Sequence, residues 1–272
     1  MKPEAQEFGR YTILGEIASG GMATVHLGRM RGAAGFVRTV AIKQLHPQFA
    51  SDPAFVAMFL DEAWLAARIH HPNVVQTIDI VSEKNQLFLV MDYVQGETLS
   101  RVWRLLRERG ETAPAAVTAS VLAGVLHGLH AAHEAKDDKG KPLDIVHRDV
   151  SPQNVMIGVD GVARLLDFGV AKATVRLQTT QEGHVKGKLA YMAPELLETH
   201  EVTRIADVYA VGVMLWEGLT GKRLFEAQTE GMLVRRVLEG ASEPPSVAAA
   251  ARNTPRELDA IVMRALAKKP EE

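Results

Sequence analysis

Residues 145–169 read Ile145-Val-His147-Arg148-Asp149-Val-Ser151-Pro-Gln-Asn154-Val155-Met156-Ile157-Gly-Val-Asp160-Gly161-Val162-Ala163-Arg164-Leu165-Leu166-Asp167-Phe168-Gly169. Two short apolar runs, 155–157 and 162–166, flank Asp160-Gly161. An Asp-Gly pair between apolar runs is a strong hairpin signal. If these two residues form the turn, positions summing to 321 face each other and Asn154 lies opposite Asp167. An amide oxygen and a carboxylate at one open strand end suit Mg²⁺, which takes hard oxygen ligands and shares them with phosphates. A surface hairpin with polar ends is the plainer alternative, since Asp-Gly turns are common.

Working outward, residues 11–28 alternate as a strand, pass through a small-residue turn and leave as another strand. The turn holds Ile17, Ala18, Ser19, Gly20, Gly21, Met22, Ala23, Thr24 and Val25. Small residues let backbone N–H groups approach phosphate oxygens. A strand after the glycines argues against a dinucleotide fold, where a helix must follow. The Gly-Lys-Ser/Thr ending of a P-loop is missing. Taken alone, the turn reads equally well as a plain hairpin.

Lys43 lies in the β-branched run 37–45, on the same face as Ala41 by period two. An edge strand with a solvated lysine would explain it without function. The following stretch predicts a helix, with Asp52 as cap, Pro53 at the first position and His71-Pro72 as the end. Phe55, Met58, Phe59, Leu65, Ala66 and Ile69 form its apolar stripe. Glu62 falls inside that stripe. A buried carboxylate needs a cation, and Lys43 is the natural partner; a place at the wet margin of the stripe is the alternative. Together with Asp149, Asn154 and Asp167, these residues point to phosphoryl transfer from a nucleotide.

The 272 residues suffice for one large domain or two lobes. A net charge of −2 gives no basic field for nucleic acid. Cysteine is absent, which excludes disulfides, thiolate catalysis and cysteine-bound zinc. No charge-free apolar stretch is read as long enough to span a bilayer, and the N-terminus lacks a secretory signal. The segment is expected to be cytoplasmic without direct membrane contact, on its own or as part of a larger, membrane-anchored protein. Strands and one helix fill the first ninety residues and helices dominate afterwards. His127, His130 and His133 recur every three residues, but lack a fourth ligand motif and read as a packed helix rather than zinc.

In chain order, the glycine turn, Ala41-Ile42-Lys43, Glu62, His147-Arg148-Asp149, Asn154, Asp167-Phe168-Gly169, Ala193-Pro194-Glu195 and Asp207 resemble the signatures of eukaryotic-like protein kinases, most closely the bacterial Ser/Thr type. The resemblance covers nearly the whole chain. It implies an α+β bilobal fold, with a β-rich N-lobe (1–92) carrying one key helix and a mainly helical C-lobe (93–272). It implies ATP and Mg²⁺, with protein substrates and self-association for autophosphorylation in trans. Lys43 would contact the α/β-phosphates and pair with Glu62. Val25 and Ala41 would cover the adenine, with Met156 beneath. Met91 looks like the gatekeeper, with Asp92 to Val94 as the hinge. Asn154 and Asp167 would hold Mg²⁺, Asp149 would accept the substrate hydroxyl proton, and Asp207 would brace the catalytic loop.

The chain departs from the pattern in three places. Ala18 and Ala23 replace the outer glycines of the turn. Ser151 stands where Ser/Thr kinases usually carry a lysine, while Lys188 stands where the family usually has a threonine. The two groups look exchanged, with Lys188 reaching back beside Ser151 and Asp149; a solvated activation-loop lysine is the alternative. The family also continues into a last helix, and into an arginine for Glu195, that lie outside this segment. Arg148 beside Asp149 implies a phosphorylated activation loop. Among Thr174, Thr179 and Thr180, the last two are nearest its middle. A pseudokinase that holds nucleotide without turnover is the competing reading, and tyrosine specificity a lesser one.

Overall fold

A computed structural model of the chain describes residues 6–168, 184–199, 202–249 and 254–270; for Glu62 and residues 184–186 it describes the backbone alone. The chain forms two compact units, Met1–His71 with Val75–Gln95, and Pro72–Val74 with Gly96–Glu272. The α+β class holds. The first unit is mostly sheet with one long helix, and the second is mostly helix.

In the first unit six strands pair antiparallel: β1 (Glu7–Phe8), β2 (Tyr11–Ser19), β3 (Ala23–Arg31), β4 (Val37–Leu45), β5 (Thr77–Glu83) and β6 (Gln86–Asp92), in the order β1-β2-β3-β4-β6-β5. Alternation sorts the side chains. Val40, Ile42, Phe88 and Val90 join Phe8, Tyr11 and Ile13 in one buried cluster, where Phe8 stacks on Phe88 at 4.0 Å. Ala41 and Lys43 take the other face. Lys43 sits between Val25 and Leu89, and Ala41 pairs with Met91. Strand β4 is therefore interior and Lys43 is only 9% exposed, so it is not the solvated lysine of an edge strand. The helix α2 (Pro53–Ala67) begins as its sequence predicts, with Asp52 Oδ1 accepting from Ala54 N at 2.9 Å. Phe55, Phe59 and Ala63 are buried, whereas Trp64 is 65% exposed.

The second unit is built around α4 (Ala115–His133) and α7 (Arg204–Thr220), which pack together. Gly221 at φ 69 closes α7, its N–H donating to Glu217 O, the left-handed C-terminal residue that glycine adopts without strain. By length and composition alone α4 is apolar enough to cross a membrane, so the reading that no such stretch exists is corrected. Its buried face (Thr118, Leu122, Val125, Leu129, Ala132) is that of a core helix in this unit. Trp103 and Trp216 are also buried here, at 7% and 5% exposure.

A three-stranded sheet, β7 (Gly96–Thr98), β8 (Val155–Gly158) and β9 (Ala163–Leu165), carries the hairpin. Its register corrects the expected one. Val155 faces Leu165 and Ile157 faces Ala163, and Asn154 O accepts from Leu166 N at 2.9 Å. Asn154 is therefore opposite Leu166, not Asp167. The loop has three residues, Val159 to Gly161: Gly158 N–H donates to Val162 O, and Gly161 N–H to Gly158 O. Gly161 alone adopts positive φ, at 76°. That is the three-residue hairpin with a glycine bulge, which shifts pairing by one residue against a two-residue turn. The Arg164 guanidinium grips Asp160 across this loop and holds its carboxyl down at about 2.

Where β7 meets β8 the backbones are very close. A Cβ on Gly96 would lie 2.1 Å from Ile157 O. Gly96→Ala is expected to destabilise the protein by about 1–3 kcal/mol, the usual scale of overpacking. The urea midpoint followed by tryptophan emission would read this, and an unchanged midpoint would mean that the strands part freely.

Candidate active site

The catalytic-loop candidates all lie in the second unit. Three buried groups set the loop. The Asp207 carboxylate, in the first turn of α7, is 1% exposed. It accepts from His147 N at 2.9 Å, Arg148 N at 2.9 Å and His133 Nε2 at 2.8 Å. Arg148 sits at φ 65, a left-handed conformation that costs an ordinary residue roughly 1–2 kcal/mol. The hydrogen bond to its N–H offsets that cost. His147 is fully buried, donating from Nε2 to Leu166 O at 2.9 Å and accepting at Nδ1 from Asp149 N at 3.3 Å. One imidazole thus ties the catalytic loop to the end of β9. The chain then reverses at Asp167, φ 53, and Phe168 tucks under His147 with ring centroids 4.6 Å apart.

Asn154 and Asp149 are joined directly. Asn154 Nδ2 donates to Asp149 O at 2.7 Å and to Asp149 Oδ2 at 2.9 Å. Lys188, in the short helix α5 (His184–Leu189), donates from Nζ to the same Oδ2 at 2.7 Å. Ser151 Oγ is buried without a hydrogen-bond partner among the described residues. The structure therefore brings Lys188 to Asp149, as the sequence departures anticipate.

Asn154 spends both amide hydrogens on Asp149, and among the described residues its Oδ1 accepts no hydrogen bond. With the Asp167 carboxylate this makes an amide oxygen and a carboxylate in one short segment. Among the described residues no three His, Cys, Asp or Glu side chains form a metal cluster. Mg²⁺ asks for less, since one or two protein oxygens suffice when phosphates and water complete the shell. These residues fit that ion.

In the first unit, Val25, Ala41, Lys43 and Met91 share one face of the sheet. Ile17 to Val25 form the strand-turn-strand expected, with Gly20 N donating to Ala23 O at 2.9 Å. Asp92 is ion-paired with Arg38. The Lys43–Glu62 pairing lies outside the described residues, because the Glu62 side chain is not among them. Thr174, Thr179 and Thr180 lie outside them as well.

Two arrangements escape sequence reasoning. His133, read as one of three packed helix histidines, supports Asp207 from α4, while His127 and His130 are exposed. A buried carboxylate on α7 needing donors was the available signal. The second is a polar cluster beside Lys188. Tyr191 Oη donates to Glu217 Oε2 at 2.8 Å and accepts from Arg223 Nη1, and Glu217 Oε1 accepts from Leu224 N at 3.2 Å. Burial pushes the Glu217 carboxyl up, against the downward pull of Arg223. Nearby, Glu195 Oε1 and Tyr209 Oη are buried with no hydrogen-bond partner among the described residues.

The profile of the protein kinase domain matches residues 11–272. The tyrosine-protein kinase MasK of Myxococcus xanthus is 41% identical over 272 residues, all of this chain and 42% of MasK. The serine/threonine-protein kinase PknH of Mycobacterium bovis is 38% identical over 267 residues, 97% of this chain and 42% of PknH. The chain thus spans about two fifths of these relatives. The crystallised PknI kinase domain of Mycobacterium tuberculosis aligns with a TM-score of 0.70 at 26% identity, covering 98% of this chain and 91% of that one.

Proposed function

The chain belongs to the protein kinase domain family, and on that premise we infer that it transfers the γ-phosphoryl group of ATP to serine and threonine hydroxyls of proteins, its own activation loop included. The arrangement of Asp149 carries this reading. Its Oδ2 is held by Asn154 and Lys188, while Oδ1 accepts no hydrogen bond among the described residues. A substrate hydroxyl donating to Oδ1 is oriented towards the phosphorus. As its oxygen forms the new O–P bond and the bond to ADP breaks, its proton passes to Asp149. Phosphoryl transfer needs little covalent help, so alignment and charge neutralisation do most of the catalysis.

Other roles follow the family pattern. Lys43 is assigned to the α/β-phosphates and Glu62 to orienting it. The turn from Ile17 to Val25, with Ala41, Met91, Asp92, Val94 and Met156, is assigned to the nucleotide. Asn154 Oδ1 and Asp167 are assigned to Mg²⁺, which when bound neutralises phosphate charge. Thr179 and Thr180 are the proposed autophosphorylation sites, reached in trans.

Tyrosine is the second reading, favoured by the similarity to MasK, which is named a tyrosine-protein kinase. PknH supports the first. Incubation with radiolabelled Mg·ATP and a basic protein, followed by phosphoamino-acid analysis, separates them. Label in phosphoserine and phosphothreonine, lost with EDTA, is expected. Label confined to phosphotyrosine would install the second reading, and no label at all would leave a nucleotide-binding scaffold.

A further inference from the structure

Lys188 meets a carboxylate that is itself mostly shielded from solvent. Among the described residues it forms the one ion pair to Asp149, and both side chains are largely shielded, 25% and 17% exposed. Its backbone is fastened as well. Tyr191 N donates to Lys188 O at 3.0 Å, and Tyr191 Oη is clamped by Glu217 and Arg223 on and beyond α7. Ser151, by contrast, brings no charge to the catalytic loop, and its hydroxyl has no hydrogen-bond partner among the described residues.

The electrostatics give this placement a use. In the transition state, charge spreads over the three equatorial oxygens of the transferring phosphoryl group, and cations nearby act at full strength when water is excluded. A hydroxyl held by Asp149 stands next to that group. An ammonium 2.7 Å from the same carboxylate would be a close neighbour of a phosphoryl group lined up with that hydroxyl. It has three hydrogens, so it can keep Asp149 and still donate to phosphate.

Resting on the phosphotransferase reading above, we propose that Lys188 is a catalytic residue supplying positive charge to the transferring phosphoryl group, so that the site is complete only while the Lys188 segment is docked through Tyr191. Placing this charge on the segment that leads into Ala193-Pro194-Glu195, rather than in the catalytic loop, makes turnover depend on where that segment sits.

The test compares wild type with Lys188→Ala, Lys188→Thr, and Lys188→Thr combined with Ser151→Lys. Phosphotransfer is measured alongside affinity for Mg·ADP, which lacks the transferred group. Lys188→Ala should lower kcat by about 10²-fold and leave Mg·ADP affinity and melting temperature close to wild type. Moving the lysine to position 151 should recover about tenfold or more over Lys188→Thr, because the charge returns to the same oxygens. Tyr191→Phe should lower kcat in wild type and have a smaller effect once the lysine sits at 151, the non-additivity expected of coupled residues. Undiminished kcat in Lys188→Ala, with wild type active, would overturn this proposal alone. Equal losses for Tyr191→Phe in both backgrounds would overturn its docking clause. An inactive wild type would overturn the functional reading beneath it. Should the relocated-lysine variant fail to fold, the Lys188→Ala result decides.

Discussion

Asp149→Asn is expected to fold, to bind Mg·ADP as wild type does, and to lose roughly 10²–10⁴ in kcat, the usual scale for a positioned acid–base group. The two carboxylate oxygens are used differently. Oδ2 receives Asn154 Nδ2 and Lys188 Nζ, both donors. In the variant the remaining oxygen must face these donors. The new amide hydrogens then occupy the Oδ1 side, where the substrate hydroxyl has to find an acceptor. It meets a donor instead, so both its orientation and the destination of its proton are lost. The stabilising contacts to Oδ2 survive, and stability should change little. Steady-state transfer, with melting temperature and Mg·ADP binding as controls, checks this. Near-full turnover would remove Asp149 from the chemistry.

Asp207→Ala should have the largest effect on stability, about 3–5 kcal/mol, which is the scale for stranding buried partners of a charged group. Asp207 makes three hydrogen bonds, and its carboxylate has no access to water. Without it the N–H groups of His147 and Arg148 have no acceptor, and burying such a donor unsatisfied costs roughly 1–3 kcal/mol each. Arg148 also loses the bond that holds its left-handed backbone. The loop should relax, so kcat should fall along with the denaturant midpoint. Asp207→Asn keeps one acceptor oxygen and should fall between wild type and alanine. Equal midpoints for all three proteins would show that the loop is held by something else.

Much of this arrangement was legible in the sequence, and the failures have physical reasons. The hairpin was legible from Asp160-Gly161, but its register was not. The same pair fits a two-residue turn or the second half of a three-residue one, and the choice depends on whether one residue or two take positive φ. Only Gly161 does. Lys43 was ambiguous because strand order in a sheet depends on pairings far apart in sequence. The local run 37–45 cannot say whether β4 has a neighbour on both sides, and it does. The apolar length of α4 runs against the expectation that no stretch could span a bilayer, and of the three histidines expected to pack only His133 turns inward, His127 and His130 being exposed. That His133 meets Asp207 could not be seen, since periodicity describes one helix and this contact joins two. The Lys188 pairing was legible because a hydroxyl and an ammonium were each found where the other is customary, and a complementary pair of oddities is more informative than either alone.

The tryptophans are divided so that the molecule carries its own optical labels. Trp64 is solvated on α2, in the first unit; Trp103 and Trp216 are enclosed in the second. A water-borne collisional quencher such as iodide therefore silences the α2 signal and leaves a blue-shifted emission from the helical unit. Motion at the helix that bears Glu62 and melting of the catalytic unit can be followed as two separate colours in one unlabelled sample.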